Sequence, residues 1–281
     1  MNTVIEREIV IVDVKNDVKV KDNKNEYFKE IALSRLGETR LNTLGSKMWI
    51  VNYTSATDTT VQFKDGYITT GVQYTQFCNG RVKNPNDASV FGHGCVGVGA
   101  HVSTIDGKMT PQYRTWTHML ERSYSAKYHL RKPTYIGITV CDEWLNFQVF
   151  AAWYDTNFYA VEDQEMAIDK DILSKGNKVY SPETCVFVPQ SVNSLFTKRD
   201  AKRGKTPLGV SWYKSGKYQA SCSTGKGKLQ YLGLFTTPEE AFLSYKAFKE
   251  NLIKQIAESY KTQIPDNLYR ALINYTVEID D

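Results

Sequence analysis

From Gly209 onward the chain carries a pattern that few folds can satisfy. Val210 and Trp212, then Tyr218, Ala220 and Cys222, alternate with polar neighbours at the period of half-buried strands, with a turn at Ser215-Gly216. After Gly225-Lys226-Gly227, a third strand is expected over 229–235. Thr237-Pro238-Glu239-Glu240 then joins a Thr cap, Pro at the first helical turn and Glu three residues on, the signature of a capping box. Ala241, Phe242, Tyr245, Phe248, Leu252 and Ile256 follow at helical spacing. One helix can cover only one face of such a sheet. The other face, with Ser211, Tyr213, Lys217, Gln219, Ser221, Ser223 and Tyr231, is left open.

Charge indicates what an open polar face could meet. The net charge of +4 is mild, but its distribution is not. Lys198, Arg199, Lys202, Arg203, Lys205, Lys214, Lys217, Lys226 and Lys228 are opposed over that stretch only by Asp200. Such clustering is the electrostatic footprint of a polyanion binder, although a solvated basic linker has the same composition.

The segments Gly209-Val210, Gly216-Lys217-Tyr218-Gln219-Ala220, Tyr231-Leu232-Gly233-Leu234-Phe235 and Glu240-Ala241 with Tyr245 resemble the APETALA/ethylene-response-factor DNA-binding domain, over about residues 205–260. The resemblance implies a three-stranded sheet lying in the major groove, where the donor and acceptor code of the bases is unambiguous. Positions 211, 213, 221, 223 and 231 match the family's base-contacting positions. Plant members place arginines where this chain has Ser211, Tyr213, Ser221 and Ser223, so their target sequence does not carry over. Lys198, Arg199, Lys202, Arg203 and Lys228 are the expected phosphate contacts, and 205–262 is expected to fold as a unit.

The rest of the chain is less specific. Residues 1–25 read as strand-like, and Glu6, Arg7, Glu8 and Asp13 argue against a signal peptide. A short helix is expected over 26–36, with Phe28, Ile31, Ala32 and Leu36 as its apolar face. Residues 45–100 read as all-β, with strands at 47–53 and 59–64 and a hairpin turn at Asp65-Gly66. The glycine run from Gly92 to Gly99 lacks the Lys-Ser/Thr of a phosphate loop and reads as tight turns. Two aromatic helices follow. One opens at Thr110-Pro111 and carries Tyr113, Trp116, Met119, Leu120 and Tyr124; the other spans about 142–154. Strands at 166–172 and 185–188 and a short helix from Pro189 through Phe196 complete a β-β-α order. No run of about 18 apolar residues suggests a membrane span. The five scattered cysteines lack any CxxC pair, which points to reduced thiols in a cytoplasm and away from a zinc knuckle.

Tyr113–Arg122, Val140-Cys141-Asp142-Glu143-Trp144, Ile168-Asp169-Lys170-Asp171 and Tyr180–Pro189, ending in Asn193, resemble the HNH nuclease of phage homing endonucleases. The resemblance implies one divalent cation, Mg²⁺ or Mn²⁺, held by Asp169 on the strand and Asn193 on the helix. The family's general base is a His just after the strand Asp; here that position is Lys170, which beside a metal and phosphates should stay protonated. The Asn that normally braces that His is replaced by Thr184, and Asp171 and His118 are the conceivable substitute bases. Asp169 and Asp171, two apart on a strand, should share a face.

The expected fold is therefore α+β and multidomain. It has an N-terminal segment (1–40), a β-rich module (41–105), an HNH-like ββα-metal domain (106–200), a sheet-plus-helix DNA reader (205–262) and a C-terminal helix or tail (263–281). The expected partner is double-stranded DNA in a bacterial host cytoplasm. Two functions stay open: a site-specific endonuclease that uses Asp169, Lys170 and Asn193, and a catalytically inactive repressor built on the same scaffold.

Overall fold

The computed structural model describes residues 23–196, 206–224 and 228–279, with side chains from residue 26 onward. The expected strand over 1–25 falls almost wholly outside this range, as do the basic residues Lys198, Arg199, Lys202, Arg203, Lys205 and Lys226. The molecule is mixed α+β and divides into two compact units, Met1–Asn84 and Pro85–Asp281.

In the first unit α1 (Asn23–Arg35) precedes an antiparallel meander of β1 (Thr39–Leu41), β2 (Lys47–Ser55), β3 (Asp58–Phe63) and β4 (Ile68–Val72), closed by α2 (Tyr74–Cys78). Alternation along β2 and β3 sends Met48, Ile50, Val61 and Phe63 into one core with Val72, Phe77 and Val82. The β3–β4 turn uses Asp65, whose carboxylate accepts the Tyr67 amide, so the Asp-Gly signal reads as expected. Two expectations fail here. Strand structure stops at Val72, well short of residue 100, and the apolar stripe of α1 is not a core face, since Phe28 is 62% exposed.

The second unit is built outward from aromatic helices. Past the short hairpin of β5 (Thr104–Ile105) and β6 (Lys108–Met109), Thr110 caps α3 (Pro111–Tyr124), and α4 (Ala126–Arg131) follows it. Asn146 caps α5 (Phe147–Asn157). Trp116, Met119, Leu120, Trp144, Phe147, Phe150 and Ala151 are fully buried between α3 and α5. The glycine run packs on them: a Cβ on Gly94 would lie 2.4 Å from Leu120 and 2.8 Å from Trp116, so only glycine lets that turn approach. The second unit thus takes in residues 85–105 as well.

β7 (Thr139–Val140) pairs in parallel with β9 (Val179–Tyr180), and β8 (Met166–Asp169) pairs antiparallel with β10 (Val186–Pro189). Pro189 precedes α6 (Gln190–Asn193) as its cap rather than occupying its first turn. The ββα order is present, but β8 ends at Asp169, earlier than the expected residue 172.

The last sheet has β12 (Lys217–Ser223) between β11 (Val210–Tyr213) and β13 (Leu229–Phe235). It is backed by α7 (Pro238–Tyr260), whose capping box between Thr237 and Glu240 is formed. α7 does more than back the sheet. Its first half packs Ala241, Phe242 and Tyr245 on Val210, Ala220 and Cys222, while Ile253 and Ala257 join Val186, Val188, Val192 and Leu195 of the ββα motif. α8 (Asp266–Ile273) adds Leu268 and Leu272 to that second core, and Val277 returns to the first. Sheet, helix and ββα motif therefore share hydrophobic cores. A fragment 205–262 would expose Ile253 and Ala257 and lose Val277, each of them at most 1% exposed here. At about 1–3 kcal/mol per lost burial, that fragment is expected to be unfolded or loosely packed. Residues 85–281 should melt cooperatively by circular dichroism; two equally cooperative fragments would contradict this shared core. Among the described residues, no helix is long and apolar enough to cross a membrane.

Candidate nucleic-acid interface and phosphoryl site

Register decides which side chains share the open face. Ser211 opposes Gln219, which opposes Leu234; Tyr213 opposes Lys217; Ser221 opposes Tyr231; Ser223 opposes Leu229. Directly opposed residues in an antiparallel pair point the same way. By register all seven expected residues share the outer face, joined by Leu229 and Leu234, which the alternation rule does not single out. At one edge of the sheet Ser221, Ser223 and Leu229 also line a cavity with Tyr245 and Lys249 of α7. Tyr231 is 54% and Tyr213 42% exposed. Lys214, Lys217 and Lys228 are exposed beside them. Trp212 is a correction: it shares the inner face with Tyr218, yet it is 64% exposed, because it lies at the hairpin end of edge strand β11 while α7 packs mainly under β12 and β13.

The second site is a cavity of about 500 Å³. Asp169 and Lys170 reach it from the end of β8, with Asp171 just beyond, Tyr180 from β9 and Asn193 from α6. The three residues proposed for chemistry, Asp169, Lys170 and Asn193, are brought together. Arg122, Tyr128, Lys132 and Tyr135 line the same cavity from α3, α4 and the turn that follows. No sequence motif marked Tyr128, Lys132 or Tyr135; Arg122 closes the Tyr113–Arg122 landmark of the HNH resemblance, with no role assigned to it there.

Asp169 ends its strand by turning the backbone onto itself. Its Oδ1 accepts the amides of Asp171 and Ile172, each at 2.9 Å. Burial pushes its carboxyl up to about 6, and the charge of Asp171 and a side-chain hydrogen bond with it push the same way; the two amides only partly offset this. Asp171 is therefore a turn neighbour of Asp169 and not a residue of the same strand face. The Asp169 and Asp171 carboxyl groups and the Asn193 amide, all at this cavity, are oxygen donors of the kind a hard divalent cation takes while keeping several waters. Among the described residues no three His, Cys, Asp or Glu side chains cluster as a metal site.

Lys170 is held in place by two hydrogen bonds. Its Nζ donates to Asp171 Oδ2 at 3.2 Å and to the Asn177 carbonyl at 3.0 Å. The brace for this position is Asn177, whose Nδ2 donates to the carbonyls of Lys170 and Val179. Thr184, expected near that role, instead donates from Oγ1 to the Val179 carbonyl at 2.9 Å and does not line the cavity. His118 is exposed on α3 and does not line it either. Of the two substitute bases, only Asp171 is in place.

No protein-family model matches the chain, and no curated protein or solved structure matches it.

Proposed function

We propose that the chain is a site-specific double-stranded-DNA-binding protein of the homing-endonuclease kind, working in a bacterial host cytoplasm. The observation that carries the reading is the uncovered sheet face, where Ser211, Tyr213, Lys217, Gln219, Ser221, Ser223 and Tyr231 stand together opposite the supporting helix. Gln can bond adenine at two points, serines serve either base, and apolar groups meet thymine methyls. Lys217 and Lys228, with Lys198, Arg199, Lys202 and Arg203 outside the described residues, supply phosphate contacts that set position rather than sequence.

The cavity at Asp169 gives the bound DNA a place to be cut. Asp169 and Asn193 would hold one Mg²⁺ or Mn²⁺, which when bound stabilises charge on the scissile phosphate and the leaving oxygen. Asp171 accepts the proton of the attacking water. Lys170, held by Asp171 and Asn177, supplies fixed positive charge rather than a base. A second reading is favoured by one specific observation: no histidine lines the cavity and Lys170 is already hydrogen-bonded, as expected of a repressor on the same scaffold.

Fluorescence anisotropy with labelled duplexes tests the binding reading. Lys217→Ala should weaken all sequences alike, whereas Gln219→Ala or Tyr213→Ala should erase about 1–3 kcal/mol of preference between sites. A uniform loss from Gln219→Ala would contradict base contact. Plasmid nicking in Mg²⁺ separates the two readings: nicks that disappear in Asp169→Ala support the enzyme, and intact plasmid with normal binding supports the repressor.

A further inference from the structure

Arg122 is the one cavity residue whose environment is incomplete. It closes the last turn of α3, where its carbonyl accepts a bond from His129 Nε2, and its guanidinium carbon lies 5.5 Å from the centre of the Tyr180 ring. Its Nε is buried with no hydrogen-bond partner. Nearby Arg131, by contrast, reaches Glu121 at 3.9 Å, and Lys170 is tied to Asp171. Arg122 has no carboxylate partner among the described residues. A buried guanidinium donor left unbonded costs free energy, which a ligand bound to the guanidinium would offset. The guanidinium lies over the Tyr180 ring at the cavity wall, and its planar fork of donors is the group that pairs with two oxygens of a phosphate. Tyr128 and Lys132, which line the same cavity, bring a hydroxyl and a second cation to it.

We propose that Arg122, assisted by Lys132 and Tyr128, is a phosphate-binding site that anchors one phosphodiester of DNA at this cavity. The proposal rests on the reading of the chain as a DNA-binding protein. A carboxylate ligand would match the fork equally well, but it would bring a third acid to a cavity that already holds Asp169 and Asp171. A phosphodiester carries a single negative charge spread over two oxygens, which suits the Arg122 fork with Lys132 beside it, and DNA supplies it in quantity. Arg122 acts by holding the phosphate; it transfers no proton.

The test uses the full chain and the dinucleotide thymidylyl-thymidine, with inorganic phosphate as a second arm and uncharged thymidine as control, at matched ionic strength. The Arg122 Nε–H resonance should shift with the dinucleotide and stay in place with thymidine. A shift with inorganic phosphate too means that the site takes any phosphate group; a shift with the dinucleotide alone means that it requires the diester. Both outcomes support the anchor. Arg122→Lys keeps the charge and removes the fork, and should weaken the dinucleotide about tenfold or more. Duplex binding that fails in the wild type would sink the DNA reading, and the dinucleotide arm would still judge Arg122. Dinucleotide binding unchanged by Arg122→Lys, or no binding to the wild type, overturns the proposal.

Discussion

Asp169→Asn is expected to stabilise the protein while abolishing any cleavage. The Asn oxygen can still accept the amides of Asp171 and Ile172, so the turn survives. What disappears is a buried charge beside Asp171. The folded-state carboxyl titrates at about 6, above its ordinary 3.8, so its favourable contribution is complete below about pH 4 and is lost as the pH rises through 6. The advantage of Asn over Asp should therefore grow between pH 4 and 6 and level off above. It should reach about 1–3 kcal/mol at neutral pH in the presence of a chelator. Mg²⁺ should narrow the gap by stabilising the wild type alone. Paired thermal melts from pH 4 to 8 check this, and an Asp169→Asn protein that melts lower at pH 7.5 would show that the carboxylate is structural.

Gly209→Ala should cost about 2–5 kcal/mol, far more than its size suggests. The residue has φ +76°, and an added Cβ would lie 2.0 Å from the Tyr245 ring, which is buried between α7 and the sheet. Neither the backbone nor the ring can give way cheaply. Gly216→Ala is the matched control: φ is +73°, but nothing lies within 4 Å, so only the backbone term of about 1 kcal/mol remains. Urea melts of the two variants should differ by more than 1 kcal/mol, and duplex affinity should fall with the first. Equal losses would mean that Tyr245 does not hold the start of β11.

Legibility in the sequence followed the range of the interactions. The three strands, the Thr237–Glu240 box and the first aromatic helix rest on local alternation and capping, and they lie where the pattern puts them. The second aromatic helix, expected over about 142–154, is a 3-10 turn at Asp142–Leu145 followed by an α-helix only from Phe147 to Asn157, with Asn146 as its cap. Trp212 did not follow its pattern, because burial depends on where α7 lies and not on strand phase. The sharing of α7 between two cores was hidden for a similar reason: its face from Ala241 to Ile256 is continuous, and nothing local says that its partner changes midway. At the cavity, the resemblance picked out Asp169, Lys170 and Asn193. The brace from Asn177 depends on a loop that no motif marks, and the unpartnered Nε of Arg122 depends on packing that its motif does not describe.

Equilibrium affinity of the full chain for duplex DNA across a salt series is the measurement that bears most directly on function. Phosphate contacts release counterions, so log K should fall linearly with log salt, with a slope of several units that drops by about one in Lys217→Ala. Replacing Tyr213, Gln219 and Tyr231 together by alanine should leave most of that slope and remove the preference between duplexes. No binding, or an affinity indifferent to salt, would contradict the assignment of the open sheet face to DNA.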